Sequence, residues 1–325
     1  MGRLTEMNER KSRPTKIGMV LAGGGGKGAY QVGVWKAIKE YDLDRQIVAI
    51  SGTSVGALNG VLFATKSVGE AENVWSTISP EKILSIDLSG LNRLFRNSGF
   101  NLSLRTVELL AGSGVFSREG LANIIEDFVN LDYINEHSLP VYAAAYDSNQ
   151  RRPHYFLLNH LGEDDKLNAL LASSALPFIF DPIRIDGTTY WDGGLVDNTP
   201  IIPLYDSGCS VIIVVHLNRT TIVDKSKYPE ANIIEIFPRS SIGGFIDGTL
   251  DFSPSNAYKR MLQGYEDAKS TLETTFKVLQ TQTKLLEGVS GFVQGDEYTY
   301  ENLKVILSER EELKKMLKGV PDEAE

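Results

Sequence analysis

The sequence predicts an α/β fold in which a parallel-rich central sheet is flanked by helices, followed by a helical C-terminal extension. The order strand, glycine turn, helix occurs twice within the first 65 residues. A short apolar run at 17–22 leads through glycines into a helical pattern at about 29–41. A second run at 47–50 leads through Ser51-Gly52 into a helix that begins just past Ser54. This alternation is typical of parallel strands that are joined by crossover helices.

Further elements follow in the same manner up to about residue 237. Short apolar runs predict buried strands, and apolar residues at helical spacing predict helices. The predicted strands are 141–146, 155–158, 211–215 and 233–237, and the predicted helices begin near Ser117 and span 164–173.

The last third of the chain is helical and more polar. One apolar repeat ends at Leu272 and a second starts at Phe276, with a shift of phase between them. The pattern predicts a pair of helices packed on the main domain rather than a coiled coil. We therefore expect a flexible N-terminus at 1–15, a catalytic domain at 16–268 and a helical extension at 269–325.

Composition excludes several classes of protein. The chain has 325 residues, 42% of them hydrophobic and 23% charged, as expected for a globular protein. Its net charge of −9 argues against nucleic-acid binding. The single cysteine, Cys209, precludes an internal disulfide and fits a reducing compartment. Since no apolar run approaches the ~20 residues of a membrane span, we expect a cytoplasmic protein, soluble or peripheral on the membrane.

A glycine-rich loop, Gly23-Gly24-Gly25-Gly26-Lys27-Gly28, connects the first strand to the first helix. Such a loop turns backbone N–H groups toward an anion at the helix N-terminus. The spacing satisfies a dinucleotide fingerprint, but the second strand ends in Ser51-Gly52 where an acidic residue is expected. A phosphate loop needs Ser or Thr after the lysine, where Gly28 stands. An oxyanion hole is the third use, and a tight turn without a ligand is the fourth.

The segment Gly52-Thr53-Ser54-Val55-Gly56 matches the G-x-S-x-G pattern between a strand and a helix. In a nucleophile elbow the two glycines permit the tight turn that exposes the serine. Such a serine needs a base, and the chain has four histidines. His216 follows an apolar strand, and the order Ser54, Asp192, His216 matches an α/β-hydrolase triad, although the elbow comes early for that fold. His137, His154 and His160 have no supporting context.

A third motif, Asp192-Gly193-Gly194, is by itself an ordinary turn signal. In combination and order, the three motifs resemble those of the patatin-like phospholipase family. The proline-containing segment Ala172-Ser173-Ser174-Ala175-Leu176-Pro177 adds to the resemblance, which covers about 16–268. Lys27 stands where plant members carry arginine.

The resemblance implies a Ser–Asp dyad without a histidine. Ser54 would be the nucleophile and Asp192 the general base, while Gly24, Gly25 and Gly26 would supply the N–H groups of an oxyanion hole. Lys27 would help to fix that loop or would be an exposed residue at the start of a helix. Supporting motif positions are Gly23, Gly28, Gly52, Gly56, Gly193 and Gly194. No metal and no cofactor are expected, and activity should be independent of calcium.

The resemblance also implies acyl esters of phospholipids, lysophospholipids or neutral lipids as substrates. The stretch from Ile83 to Leu104 is predicted as a lid, an interfacial patch or ordinary covering helices. An acyltransferase using the same acyl-enzyme is the runner-up, and a lipid-binding regulator or a nucleotide-binding protein are alternatives from other classes. No motif indicates a head-group preference or an oligomeric state.

Overall fold

The computed structural model describes residues 15–78, 118–129, 131–177, 179–293 and 307–312. Its centre is an eight-stranded sheet in which five strands run parallel in the order β3-β2-β1-β7-β8. Antiparallel strands β4 and β6 pair with β3, and β5 pairs with β6. The strands are β1 Ile17–Leu21, β2 Ile47–Thr53, β3 Val141–Asp147, β4 Arg152–Leu157, β5 Ile183–Ile185, β6 Thr188–Asp192, β7 Val211–Val215 and β8 Asn232–Ile236.

Seven α-helices connect or follow these strands in the described residues up to 293, and the described residues 307–312 are also helical. They are α1 Ala29–Glu40, α2 Val55–Thr65, α3 Val68–Thr77, α4 Arg118–Phe128, α5 Glu163–Ser173, α6 Ile202–Asp206 and α7 Pro254–Val293. A single 3₁₀ turn, Gly25–Gly28, precedes α1, and a π-helical turn, Phe245–Thr249, precedes α7. None of the helices in the described ranges is both long enough and apolar enough to cross a lipid bilayer.

Two clusters of buried apolar side chains hold these elements together. One combines β3, β4 and β6 with α2, α4 and α5, and includes Ile125, Ile134 and Leu170. The other combines β1, β2 and β7 with α6, and includes Val20 and Leu204. Burial of this apolar surface is the main stabilising contribution to the fold.

The predicted fold class is confirmed, and the first four predicted strands on the parallel sheet begin at the expected residues. Strand β2 continues through Ser51 and Gly52 to Thr53, and β4 begins three residues earlier than predicted. Four elements were not predicted: α3, β5, β6 and α6. Helix α3 did carry a local signal, since Ser67 and Glu70 form a capping box at its start.

The prediction that the C-terminal helical region is divided into two helices near residues 272–276 is wrong. Helix α7 runs without interruption from Pro254 to Val293, through the shift of apolar phase between Leu272 and Phe276. The chain divides into two compact units, Met1–Ala268 and Lys269–Glu325. The predicted lid or interfacial stretch at 83–104 and nearly all of the N-terminal segment at 1–15 lie outside the described residues.

Candidate active site

Ser54 lies alone between β2, which ends at Thr53, and α2, which begins at Val55. Its φ of 55° and ψ of −126° place a non-glycine residue in a backbone conformation that L-residues rarely adopt. A side chain at Gly52 would collide with the backbone of Gly56, and one at Gly56 would collide with the backbone of Leu21. The turn therefore requires both glycines of the motif, and it holds Ser54 at the N-terminus of a helix.

The sheet topology explains why Ser54 meets Asp192. Strand β4 occupies one edge of β3, where it pairs with residues 142–147. The two other neighbours of β3, strands β2 and β6, therefore share the opposite edge. Along that edge β2 ends with Thr53 opposite Ala144, and the antiparallel β6 ends with Asp192 opposite Ala145. Two strands thus approach each other end to end, which brings the Ser54 side chain close enough to the Asp192 carboxyl group to favour its ionised form.

Asp192 is 4% exposed and has few polar partners. Its Oδ1 accepts a hydrogen bond of 2.7 Å from the Gly194 backbone N–H. Desolvation by burial raises the pKa of Asp192 to about 6, although the hydrogen bond from Gly194 and the nearby Ser54 side chain act in the opposite direction. A carboxyl group with this pKa accepts a proton more readily than an exposed aspartate.

Ser173 fixes the backbone of the nucleophile turn, residues 52–56, so named for the predicted nucleophile Ser54. Its fully buried hydroxyl accepts a 2.9 Å hydrogen bond from the Ser54 N–H and donates one of 2.6 Å to the Ala144 carbonyl. Ser173 lies in the proline-containing segment that adds to the family resemblance, but no role was predicted for it. Its partners lie 119 and 29 residues away, so no local pattern indicated them.

The glycine-rich loop lies beside the nucleophile turn. Gly25 has a φ of +55° and lines the same cavity as Ser54. A side chain at Gly25 would collide with the Thr249 backbone, and one at Gly26 with the Asp251 backbone. Within the described ranges, no backbone carbonyl accepts a hydrogen bond from the N–H group of Gly24 or Gly25. These two donors are therefore available to an anion.

Arg260 of α7 stabilises the glycine-rich loop through hydrogen bonds. Its guanidinium donates to the carbonyls of Gly26 (3.1 Å), Asp251 (2.7 Å), Asp247 (2.6 Å) and Ile242 (3.1 Å), and to the Asp251 carboxylate (2.8 Å). The side chain is buried, and its five donor hydrogens suit this dense set of acceptors. Arg260 was not predicted from the sequence, since a lone arginine on a helix carries no signal of distant carbonyl partners.

A buried polar network connects the glycine loop to helix α2. The Asn59 Nδ2 donates to the Gly28 carbonyl at 3.0 Å and to the Gln31 Oε1 at 2.8 Å. Gln31 donates in turn to the Ala22 carbonyl, and the Trp75 indole donates to the Asn59 Oδ1. Both amide side chains are thus engaged, which fixes the loop and the nucleophile turn relative to each other.

Lys27 is half-buried, so it is not the exposed residue that one interpretation required. Desolvation and the nearby Arg260 lower the pKa of Lys27, while Asp247 acts to raise it. The lysine therefore lies in partly desolvated surroundings close to Arg260 and Asp247.

His216 has a different carboxylate partner from the one that a triad requires. Its Nε2 lies 3.0 Å from Glu235, and its ring is stacked on Phe237 at a centroid distance of 4.2 Å. Desolvation lowers the pKa of this buried histidine, against the effect of Glu235. Of the other histidines, His154 packs on Phe156, and His137 and His160 are exposed.

Ser54 lines a cavity of about 910 Å³, a volume that includes the open mouth of the cavity. Its wall is formed mainly by apolar side chains from α2, α3, α4 and the segment before α7. These include Leu58, Leu62, Val74, Trp75, Ile78, Leu121, Ile124, Ile125, Val129, Leu176, Ile179, Phe180, Leu250 and Phe252. An apolar chain attached to a group at Ser54 would fit such a wall.

Comparisons with known proteins agree with this architecture. The chain is 26% identical over 209 residues to an uncharacterised NTE family protein of Mycobacterium bovis, covering 64% of this chain and 51% of the relative. It is 29% identical over 203 residues to lysophospholipase nte1 of Aspergillus terreus, covering 61% of this chain and 12% of that protein. The chain thus spans about half the length of the mycobacterial relative and far less of the fungal one.

A solved structure shows the same fold. VipD from Legionella pneumophila superimposes with a TM-score of 0.52 at 12% identity, over 96% of this chain and 82% of that chain. The sequence model of the family described as patatin-like phospholipase matches residues 19–205, which is more than half of the chain and includes both Ser54 and Asp192. The resemblance predicted from the motifs is confirmed, and the chain belongs to the patatin-like phospholipase family.

Proposed function

We propose that the protein is a serine acyl hydrolase that cleaves lipid acyl esters through an acyl-enzyme, with Ser54 as nucleophile and Asp192 as general base. The observation that carries the proposal is the approach of Ser54, on its strained turn, to the buried Asp192 carboxyl group. The glycine loop beside them and the apolar cavity that Ser54 helps to line support it.

Acylation would begin with attack of the Ser54 Oγ on the ester carbonyl carbon while Asp192 takes the hydroxyl proton. The N–H groups of Gly24, Gly25 and Gly26 would stabilise the oxyanion that forms. Collapse of this intermediate would break the bond to the alcohol oxygen, which receives the proton from Asp192. Water would then release the fatty acid from Ser54 by the same steps.

Burial makes Asp192 suitable for this work. A carboxylate with an ordinary pKa near 3.9 is a weak base toward a hydroxyl group. With the pKa raised to about 6, Asp192 is still ionised at neutral pH and yet binds the proton more firmly. The acid limb of the pH–rate profile should therefore lie near pH 6.

The substrate class follows from the cavity and from the family. The apolar wall around Leu62, Ile125 and Phe252 suits an acyl chain, while polar parts of the substrate would stay near the mouth. A fungal relative is named a lysophospholipase, which favours lysophospholipids or phospholipids as substrates here. A peripheral association with membranes would bring the enzyme to such substrates.

Lipid product analysis tests the proposal. We expect a fluorophosphonate probe to label Ser54, and we expect release of free fatty acid from lysophosphatidylcholine and phosphatidylcholine vesicles. Transfer of the acyl group to an added lipid alcohol instead of water would indicate the acyltransferase alternative. Binding of vesicles with no labelling and no fatty acid would indicate the lipid-binding regulator.

Activity is expected to survive an excess of calcium chelator. The oxyanion would be held by backbone N–H groups, and among the described residues no group of three or more His, Cys, Asp or Glu side chains could hold a metal ion. The measurement is fatty acid release from the same vesicles with EGTA. A loss of activity that added calcium restores would contradict the proposed site.

Gly25→Ala should lower turnover by roughly 10²–10³-fold, the effect of losing one oxyanion donor. A methyl group would be strained at a φ of +55° and would collide with the Thr249 backbone, so the loop would move its N–H away. Gly208→Ala is the matched control, because Gly208 has a φ of +78° but open space around it. Normal turnover of a folded Gly25→Ala enzyme would show that Gly25 is only a turn residue and does not contribute to an oxyanion hole.

A further inference from the structure

Asn198 lies between β6 and α6, in a chain segment that strand β2 holds at two points. The Thr53 hydroxyl, at the end of β2, donates a 2.9 Å hydrogen bond to the Asp197 carbonyl. The Ser51 hydroxyl, in the same strand, donates one of 2.5 Å to the Pro200 carbonyl. Both hydroxyl-bearing residues of β2 are fully buried, so the backbone on either side of Asn198 is fixed to the strand that leads into the nucleophile turn.

Asn198 contacts the first residue of the glycine-rich loop twice. Its backbone carbonyl accepts a hydrogen bond of 3.4 Å from the Gly23 N–H. Its side-chain Nδ2 donates one of 3.3 Å to the Gly23 carbonyl. A Cβ atom at Gly23 would stand 2.6 Å from the Asn198 Oδ1 and 3.3 Å from the Ser54 Cβ. Gly23 is therefore held by Asn198 at a place directly beside the nucleophile.

The Gly23 carbonyl belongs to the same peptide unit as the Gly24 N–H. This peptide is trans, so its carbonyl and its N–H point in opposite directions. Among the residues that the structure describes, no backbone carbonyl accepts from the Gly24 N–H, which is one of the proposed oxyanion donors. A hydrogen bond that fixes the carbonyl on one side therefore sets the direction of the N–H on the other. It also polarises the peptide unit, which strengthens the N–H as a donor.

We propose that Asn198 is a positioning residue of the oxyanion hole, an inference that rests on the proposed function. Its side-chain amide keeps the Gly23–Gly24 peptide unit oriented so that the Gly24 N–H faces the oxyanion that forms at the substrate carbonyl. In this role Asn198 contacts neither the substrate nor the reacting atoms. The chain that ends β6 with the base Asp192 thus also sets the direction of one oxyanion donor.

A thionoester separates this role from general damage to the site. In such a substrate sulfur replaces the carbonyl oxygen, and sulfur is the weaker hydrogen-bond acceptor. An intact oxyanion hole therefore favours the oxygen ester over the thionoester. Misdirection of an oxyanion donor should slow the reaction of the oxygen ester more than that of the thionoester. In contrast, damage to the nucleophile or to the base should slow both reactions equally.

The experiment compares p-nitrophenyl butyrate with its thiono analogue, using wild type and Asn198→Ala in excess over the ester. Release of nitrophenolate in a single turnover reports acylation for both substrates. We expect Asn198→Ala to lower acylation by the oxygen ester about tenfold, as for one lost hydrogen bond. Acylation by the thionoester should stay within about twofold of wild type, so the preference for oxygen should fall at least about fivefold.

Two further variants serve as control and substitute. Ser51→Ala removes the hydrogen bond to the Pro200 carbonyl, which holds the same chain segment but does not involve the glycine loop. It should lower the melting temperature and leave the preference for oxygen unchanged. Asn198→Leu, which resembles asparagine in shape but has no donor, should lower the preference in the same way and substitutes if Asn198→Ala does not fold.

The outcomes distinguish this inference from the proposed function. An unchanged preference in a folded Asn198 variant, an equal loss with both esters, or an equal shift in Ser51→Ala would overturn the role of Asn198 alone. A wild type without any preference for oxygen would contradict the oxyanion hole, and with it this role, but not the nucleophile. Absence of an acyl-enzyme in wild type, or its persistence in Ser54→Ala, would overturn the proposed function and this inference together.

Discussion

Ser54→Ala is expected to abolish ester hydrolysis, with a loss of at least about 10⁴-fold, and to eliminate fluorophosphonate labelling. In the proposed mechanism the Ser54 hydroxyl oxygen is the attacking atom, so the variant lacks the nucleophile. The fold should persist, because the Ser54 side chain makes no capping hydrogen bond to α2 and the Gly194 N–H still pairs with Asp192. Turnover, probe labelling and a thermal melt of the same preparation measure all three expectations.

Labelling of Ser54→Ala at the wild-type rate would show that the nucleophile is another residue. A variant that has lost activity but also melts many degrees lower would instead indicate a structural role for the hydroxyl. The fluorophosphonate probe distinguishes these results, since it reacts covalently with the nucleophile and does not require a lipid surface.

Asp192→Asn is expected to reduce turnover by about 10³–10⁴-fold, whereas His216→Ala should keep most of it. The amide retains the shape of the carboxyl and can still accept from the Gly194 N–H, but it cannot accept the serine proton. His216 pairs with Glu235 and is stacked on Phe237, so its removal should affect stability more than chemistry. Initial rates with a soluble ester, together with thermal melts, separate the two effects.

In a triad, Asp192 would only orient a histidine base, and both substitutions would cost several orders of magnitude. A correctly folded His216→Ala enzyme with no measurable turnover would therefore show that the dyad is wrong. The pH profile of wild type alone does not separate the two bases. Burial raises the pKa of Asp192 to about 6, close to the ordinary value of ~6.5 for histidine. Persistence of the acid limb in His216→Ala assigns it to Asp192.

The raised pKa of Asp192 also affects the free energy of unfolding. Its effect on stability is opposite to that of an exposed aspartate whose pKa is lowered by an ion pair. Because the pKa of Asp192 is higher in the folded protein, folding is favoured when the group is protonated, and this contribution is lost as pH rises through about 6. A shift from 3.8 to about 6 corresponds to roughly 3 kcal/mol. Asp192→Asn should therefore be more stable than wild type at pH 8.

The nucleophile turn could be predicted from the sequence because it is local. Gly52, Ser54 and Gly56 lie within five residues, and the strand before and the helix after them have clear apolar patterns. Asp192 gave only the local signal of a turn. Its approach to Ser54 depends on two strands sharing one edge of β3, where Thr53 pairs with Ala144 and Asp192 pairs with Ala145.

The supporting residues could not be predicted for the same reason. Ser173, Asn59 and Arg260 act through hydrogen bonds to backbone groups that only the folded chain brings near. The prediction for helix α7 failed for a different reason. The shift of apolar phase predicted two helices, but the helix continues through that shift. Side-chain periodicity reports which face is buried, and it does not by itself report where a helix ends.

The contacts of Arg260 define how much of the chain the catalytic unit needs. The family match ends at Tyr205, yet the arginine that holds the Gly26 carbonyl lies 55 residues beyond it. A fragment that stopped at Tyr205 would also lack β7 and β8, which would leave β1 as an unprotected edge strand. An exposed edge of this kind invites pairing with other chains and aggregation. The smallest fragment that can be excised with its glycine loop intact therefore extends at least through the first turns of α7.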